Sequence, residues 1–438
     1  MKNQPSPTAV KNSISLFSLA IGILAITLTA LASPARAQVA TTISLLPSLT
    51  TYANLVPGPS GTFYGVTNEG NIGHCDLTGC GTVFQLSPSS GGNWTQKVLH
   101  IFTGSDGAWP QAGLILDSAG NMYGTTYYGG TTYGSGCLGY GCGSVFKLTR
   151  SGQGWTENVL YSFSGGSDGA SSTGLAFGAS GGLVGITQFG GSSTQCSTGC
   201  GVVFQLSPDS SGTWHETKLL DFPGGSLGER PVGLLLDSSG NIYGTAGGGN
   251  NNCYSGYCGL VFKLTHSSAG WKESVLYRFH GSDGEVPNPS LIFDAAGNIY
   301  GSTVLGGTGC TSLTGCGTVF RLSLKNGAWV ESVIHAFTDQ LDGYAPVDGL
   351  TFDAAGNLYG GTQFANGLVQ CNPFFYGACG QIFKLTPRFN SWKMTAEYPT
   401  PGWIAPVGDL LTDASGTVYG IACDETYFKG GAIFEIVQ

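Results

Sequence analysis

The residues best suited to chemistry are acids and aromatics in a set of short Gly-rich loops. GSDGAWP (104–110), GGSDGAS (165–171), GGSLGERP (224–231), GSDGEVP (281–287), QLDGYAP (340–346) and PTPGWIAP (399–406) share one design. Glu229 and Glu285 are the pair that could act as general acid and base, which requires a defined carboxylate separation. Asp106, Asp168, Asp283 and Asp342 could converge on a cation such as calcium, because hard ions take carboxylate and carbonyl oxygens. The competing reading is that each Asp bonds the backbone of its own turn. Leu227 stands where the third loop would carry its Asp and the last loop has none, which argues against a symmetric metal ring, and no cofactor is expected. Trp109, Arg230, Tyr344 and Trp403 vary between copies of the loop and are candidates for binding. Aromatics of this kind stack on sugar rings or anchor a protein partner, and they equally serve to cover the ends of a scaffold.

The 13 cysteines form six close pairs: Cys75 with Cys80, Cys137 with Cys142, Cys196 with Cys200, Cys253 with Cys258, Cys310 with Cys316, and Cys371 with Cys379. Local disulfides are the reading that fits an exported chain. A closed zinc site needs four ligands, and only His74 lies beside any pair. Cys423 is left over and reads as a buried inert thiol or an intermolecular partner. The loops around these pairs carry their own variable aromatics, Tyr127, Tyr128, Tyr133 and Tyr140 in one and Tyr254 and Tyr257 in another. The six histidines share no position in the repeat, and no Gly-x-Ser-x-Gly, phosphate loop or His-Glu-x-x-His is present.

The elements that must hold these loops come from a repeat. The Tyr-Gly step recurs at Tyr64, Tyr123, Tyr243, Tyr300, Tyr359 and Tyr419, with Val184 as its degenerate copy, at intervals of 57 to 61 residues. A Val-Phe or Ile-Phe step ends at Phe84, Phe146, Phe204, Phe262, Phe320, Phe383 and Phe434. Each unit holds four runs of aromatic and β-branched residues separated by Gly, Asn, Asp and Ser, the pattern of antiparallel strands. In the second unit they are expected near 112–117, 121–126, 143–149 and 155–163. Asp117, Asp237, Asp294, Asp353 and Asp413 open tight turns before Gly and read as turn formers. The 73 glycines fit many short strands and turns. Seven four-stranded units predict an all-β, seven-bladed β-propeller, repeats near 50–102, 111–163, 173–222, 231–279, 288–337, 347–398 and 406–437 plus 42–49. The last copy lacks its fourth strand and 42–49 supplies one, so pairing of the two ends should close the ring, where a linear solenoid would want polar caps.

Lys2 and Lys11 precede an apolar run from Ile14 to Leu31 and then Ala35-Arg36-Ala37, so residues 1–37 read as a signal peptide and 38–438 as one domain. A retained membrane anchor is the alternative, because the apolar run is just long enough to span. No later stretch could span a bilayer, and the mature chain is expected to be secreted, periplasmic or on the cell surface, and monomeric. Without the first 37 residues the chain has 14 basic and 26 acidic residues, net −12. Nucleic-acid binding, which runs on clustered Lys and Arg, is disfavoured by that charge.

The repeated G-L-x-x-D-x-x-G-N-x-Y-G-T-T, followed by G-x-V-F-K-L and W-x-x-x-V-L-Y-S-F, resembles the GloVer tandem-repeat family of exported bacterial proteins from about Tyr52 onward. The D-x-x-G-N-x-Y element is similar to a turn in NHL-type propellers. The resemblance implies export, surface display and a propeller-like repeat, and brings no reaction or functional residues. The expected role is an extracellular binding module for glycan or protein. The alternative is a polysaccharide hydrolase or lyase using Glu229 and Glu285.

Overall fold

The computed structural model describes residues 40–47, 54–68, 75, 79–90, 93–132, 137, 139–178, 181–249, 253–256, 258–310, 312, 314–338, 340, 342–347, 349–364, 380–399, 405–413, 415–423 and 430–437. The expected signal peptide, Trp403, Tyr133, Tyr257 and the Cys423 side chain lie outside the described residues. So do Cys371 and Cys379, and with them the sixth expected disulfide. No described helix is long and apolar enough to cross a membrane.

Glycine and phenylalanine set the spacing of the sheets. In every repeat the Gly of the Tyr-Gly step lies directly across the ladder from the Phe of the Val-Phe step, as in Gly124 opposite Phe146 and Gly301 opposite Phe320. A Cβ on Gly124 would sit 2.5 Å from the Phe146 ring, so the bare glycine lets that ring lie flat across the neighbouring strand. The same Phe receives, edge-on, the Phe that ends the preceding repeat. Phe102–Phe146, Phe163–Phe204, Phe222–Phe262, Phe279–Phe320 and Phe337–Phe383 all have centroids 5.0–5.2 Å apart. All ten rings are fully buried, and such pairs add about 0.5–1.5 kcal/mol each beyond their area. Two of the sequence markers are thus the packing unit that joins one sheet to the next.

The result is a seven-bladed β-propeller of four-stranded antiparallel blades, two of them with the innermost strand split in two. Blade 1 comprises Val56–Pro57, Phe63–Thr67, Thr82–Pro88 and Trp94–Ile101, and blade 2 Ile115–Leu116, Met122–Thr125, Ser144–Ser151 and Gly154–Ser162. Blade 7 comprises Ala405–Thr412, Val418–Cys423 and Gly430–Ile436, and its fourth strand is Ala40–Pro47 from the other end of the chain. Thr42 pairs with Phe434 and Leu45 with Ala432, which closes the ring as the sequence predicts. The innermost strand of blade 2, expected over 112–117, forms a ladder only at Ile115–Leu116. Upstream of it Gly113 lies close to the neighbouring blade, where a Cβ on it would stand 3.3 Å from Asn54 Cβ of blade 1.

The Asp turns explain the D-x-x-G-N-x-Y string. Asp117 Oδ1 accepts the N–H groups of Ala119 and Asn121, both at 2.9 Å, while Oδ2 accepts Asn121 Nδ2 at 2.8 Å and the Tyr123 hydroxyl at 3.2 Å. Asp237, Asp294 and Asp353 repeat this set. Burial raises the Asp117 pKa, but the bonds from Asn121, Tyr123 and Ala119 outweigh it and hold the carboxyl below its ordinary value.

Candidate functional site

The loops join neighbouring blades through a recurring backbone lock. Trp109, Ser171, Arg230, Val286 and Ala345 occupy the same repeat position, and all have positive φ, from 49° to 58°. Each donates its N–H to the carbonyl of the second cysteine in the blade before it. The distances are 2.9 Å to Cys80, 2.8 Å to Cys142, 2.7 Å to Cys200, 3.1 Å to Cys258 and 2.9 Å to Cys316. Those cysteines are disulfide-bonded to Cys75, Cys137, Cys196, Cys253 and Cys310, as their spacing predicts. The disulfide expected between Cys371 and Cys379 is not among these five, because both residues lie outside the described ones. Left-handed backbone at a non-glycine costs about 1–3 kcal/mol and persists where surrounding bonds impose it, as this lock does. It also puts the cysteine loops and the inter-blade loops on one face.

Immediately before this ring stand Glu229, Glu285 and Tyr344. Glu285 is 4% exposed, and its two oxygens accept the N–H groups of Tyr254 at 3.0 Å and Ser255 at 3.2 Å, capping the preceding cysteine loop. Glu229 lies 3.5 Å from the Gly225 N–H and 3.5 Å from Cys196 Sγ. Tyr344 stacks on Phe364 with centroids 4.9 Å apart. Each acid is engaged within its own seam.

The four loop aspartates lie where the chain leaves the outermost strand. Asp106 accepts Thr103 N–H at 2.8 Å and pairs with His100 at 3.1 Å. Asp168 accepts Ser164 N–H at 2.8 Å and the Tyr161 hydroxyl at 3.1 Å. Asp283 takes His280 N–H at 2.7 Å and the Tyr277 hydroxyl, and Asp342 takes Thr338 N–H at 3.1 Å and pairs with His335 at 3.2 Å. Burial raises the pKa of Asp106 and Asp342, yet the histidine and threonine bonds prevail and hold both below the ordinary value.

Aromatic rings gather on the same face over blades 2 to 4. Trp109 meets Tyr128 at 5.5 Å between centroids, Tyr128 meets Tyr140 at 5.3 Å and Tyr127 at 4.7 Å, and Tyr127 meets Phe189 at 6.5 Å. The Arg230 guanidinium lies over Phe189 at 5.6 Å. Tyr140 is 60% exposed, whereas Tyr127 and Tyr128 are half-buried. Burial and the neighbouring Tyr128 push the Tyr127 hydroxyl up to about 12, so it stays a proton donor, and it donates to Gln188 Oε1 at 2.7 Å.

Gln188 in turn lines a central cavity of about 760 Å³, together with Asn54, Gln111, Thr173, Asn288, Ser290 and Asp409. Asp409 occupies the innermost-strand position that is Gly113, Gly174, Gly233, Ser290 and Gly349 in blades 2 to 6 and Asn54 in blade 1. Its carboxylate accepts from the Asn54 amide, the Ser290 hydroxyl and the Gly349 N–H, and its own N–H donates to Asn54 Oδ1 at 2.5 Å. Burial outweighs those bonds and raises the Asp409 pKa. Variation between copies is conspicuous in the loops and inconspicuous at this position. The signal was there, as the one acid in a column of small residues.

These features belong to a seven-bladed propeller with amide side chains around a central cavity and an aromatic face on its disulfide-bound loops. The chain belongs to the Gloeobacter/Verrucomicrobia repeat family, whose model matches residues 37–255 and 252–437. No curated protein matches it in sequence. Among solved structures it is similar to the extracellular domains of two hybrid two-component systems from B. thetaiotaomicron. One is 10% identical with a TM-score of 0.54, covering 90% of this chain and 39% of that one. The other is 12% identical with a TM-score of 0.50, covering 91% and 41%. This chain therefore spans about two fifths of the length of either. A gluconolactonase from Xanthomonas campestris is 15% identical with a TM-score of 0.36, covering 67% of this chain and 78% of that one.

Proposed function

We propose that the protein is an exported binding module that takes a glycan on the aromatic face of blades 2 to 4. The observation that carries this reading is the continuous run Tyr140–Tyr128–Tyr127–Phe189, open to solvent at Tyr140 and joined through Gln188 to an amide-lined cavity. Flat rings pack on the apolar face of a sugar, and neutral amides match its hydroxyls without demanding charge. Trp109 and Arg230 extend the same surface. Five described disulfides support a destination outside the reducing cytosol. The two extracellular propellers of like fold agree with that destination.

Glycan-array binding by the purified chain, followed by titration of the best hit, tests the reading. Tyr128→Ala and Tyr140→Ala should each weaken binding by about tenfold or more. Absence of glycan binding together with capture of a protein on the same face would move the reading to a protein partner. The alternative, a polysaccharide hydrolase or lyase, predicts turnover that disappears in Glu229→Gln or Glu285→Gln. The two backbone N–H groups that occupy Glu285 support binding over hydrolysis.

A further inference from the structure

The seam between blades 1 and 2 gathers three different metal-ligating side chains. His100 comes from the fourth strand of blade 1, Asp106 from the loop that follows it, and Glu157 from the fourth strand of blade 2. One donor atom from each lies within 4.8 Å of the others. Two features of the seam bear on what the trio can hold. Asp106 Oδ1 is held by the Thr103 N–H at 2.8 Å and hydroxyl at 3.1 Å, which leaves Oδ2 turned toward His100 Nε2 at 3.1 Å. Glu157 Oε1 is sealed from solvent and has no hydrogen-bond partner among the described residues, a state it shares with Oε1 of the equivalent Glu216, Glu273 and Glu331, so what marks this seam is the imidazole and carboxylate that face the oxygen. A buried carboxylate oxygen without a partner calls for a proton, a water or an ion.

The other seams show what is particular to this one. The strand register makes His100 equivalent to Tyr161, Leu220, Tyr277 and His335, so two of the six histidines do share a repeat position, contrary to the sequence expectation, and it makes Glu157 equivalent to Glu216, Glu273, Glu331 and Met394. Blades 2 and 3 oppose Tyr161 and Asp168 to Glu216, and blades 3 and 4 oppose Leu220 to Glu273. Blades 5 and 6 keep the His335–Asp342 pair but face it with Met394. In blades 4 and 5 the histidine is His280, placed beyond the strand with its side chain 55% exposed, and it does not close on Glu331 in the same way. Imidazole and two carboxylates coincide at equivalent positions only between blades 1 and 2 among these seams.

We propose that His100 Nε2, Asp106 Oδ2 and Glu157 Oε1 bind a divalent transition-metal ion of the zinc class. One nitrogen and two oxygen donors suit zinc, manganese or cobalt, whereas calcium and magnesium favour all-oxygen sets. Donor distances of about 2.0–2.2 Å require only that the three side chains draw together, with water completing the shell. The Thr103 bonds to Asp106 orient that ligand as outer-shell partners do. The ion would tie two blades together and satisfy the orphaned oxygen of Glu157.

The test is titration of the metal-free, tag-free full chain with Co²⁺, read by visible absorption, and competition with Zn²⁺. One saturable equivalent is expected. Glu157→Gln and His100→Tyr, the second reproducing the residue of the next seam, should each weaken it by more than about tenfold. Asp342→Asn should leave it unchanged, because its seam lacks the third ligand. Circular dichroism and a denaturation midpoint on each variant confirm folding. No saturable binding, or binding that survives both Glu157→Gln and His100→Tyr in folded protein, overturns the proposal.

Discussion

The carboxylate of Asp409 in blade 7 accepts a hydrogen bond from the hydroxyl of Ser290 in blade 5, two blades away along the inner rim. Asn54 of blade 1 and Gly349 of blade 6 bond the same carboxylate, so four blades meet at one side chain. Each bond spans a gap that no strand ladder covers. The network therefore fixes the inner radius of the propeller on one side.

Asp409→Ala should cost about 2 kcal/mol, the penalty for leaving buried donors on Asn54 and Ser290 unpaired. Ser290→Gly, which restores the residue of four other blades, should cost less. Gly349→Ala should also destabilise, because its new Cβ would run into the Asp409 carboxylate. Adding Asp409→Gly to Gly349→Ala should then recover part of the loss, a coupling measurable as non-additivity in denaturant midpoints.

Stability should fall as pH rises from 4.5 to 7. Burial pushes Glu157, Glu216 and Glu331 up to about 7 and Glu273 up to about 6, against an ordinary value of 4.5. For Glu157 the facing His100 lowers and Asp106 raises the value. For Glu216, Asp168 raises and Lys218 lowers it. Asp283 raises Glu331, and Arg278 lowers Glu273. Between these limits the native state holds more protons than the unfolded chain, so raising the pH favours unfolding. The depressed carboxyls of Asp117, Asp237, Asp294 and Asp353 act oppositely, their contribution being lost as pH falls below the ordinary 3.8. The optimum should thus lie on the acid side of neutrality. Denaturation midpoints across this range check it, with Glu216→Gln and Glu331→Gln flattening the decline. A rise toward pH 7 would contradict it.

What could be read from the sequence was whatever repeats along the chain. The Gly124–Phe146 pair, the Asp117 turn and the closure through Ala40–Pro47 all leave marks at a fixed period. Inter-blade contacts leave such a mark where they recur in every seam, as the Phe102–Phe146 pair does, and none where they differ from seam to seam. Glu157 repeats visibly in Trp-x-Glu, yet what it faces depends on how one fourth strand lies against the next. The positive φ of Trp109, Arg230, Val286 and Ala345 ran against expectation, since each precedes a proline and that position favours extended backbone. The N–H bond to the preceding cysteine carbonyl accompanies it in each of the four. Asp409 was readable as an exception to its column, but its meaning required knowing that the column lines a cavity.

Val286→Gly should stabilise the protein by about 1 kcal/mol. Val286 sits at φ 55° with a β-branched side chain that is 39% exposed, so strain is relieved at small loss of packing. The N–H bond to the Cys258 carbonyl is retained, since glycine also has an N–H. A higher denaturant midpoint with unchanged slope is the expected reading, and a lower midpoint would mean that the side chain contributes more than the strain costs.

Removing a disulfide should weaken the fold by an amount set by its loop and independent of distant blades. Cys137–Cys142 and Cys253–Cys258 each close a separation of 5 residues, worth about 2 kcal/mol on the chain-entropy model. The two belong to blades 2 and 4 and share no described hydrogen bond, so replacing both pairs with alanine should cost the sum of the separate losses. Their nearest common structure is the backbone lock, in which Cys142 O serves Ser171 and Cys258 O serves Val286. That lock uses main-chain atoms and survives the substitution. A loss much larger than the sum in the double variant would show that the cysteine loops hold the ring together cooperatively and do not act seam by seam.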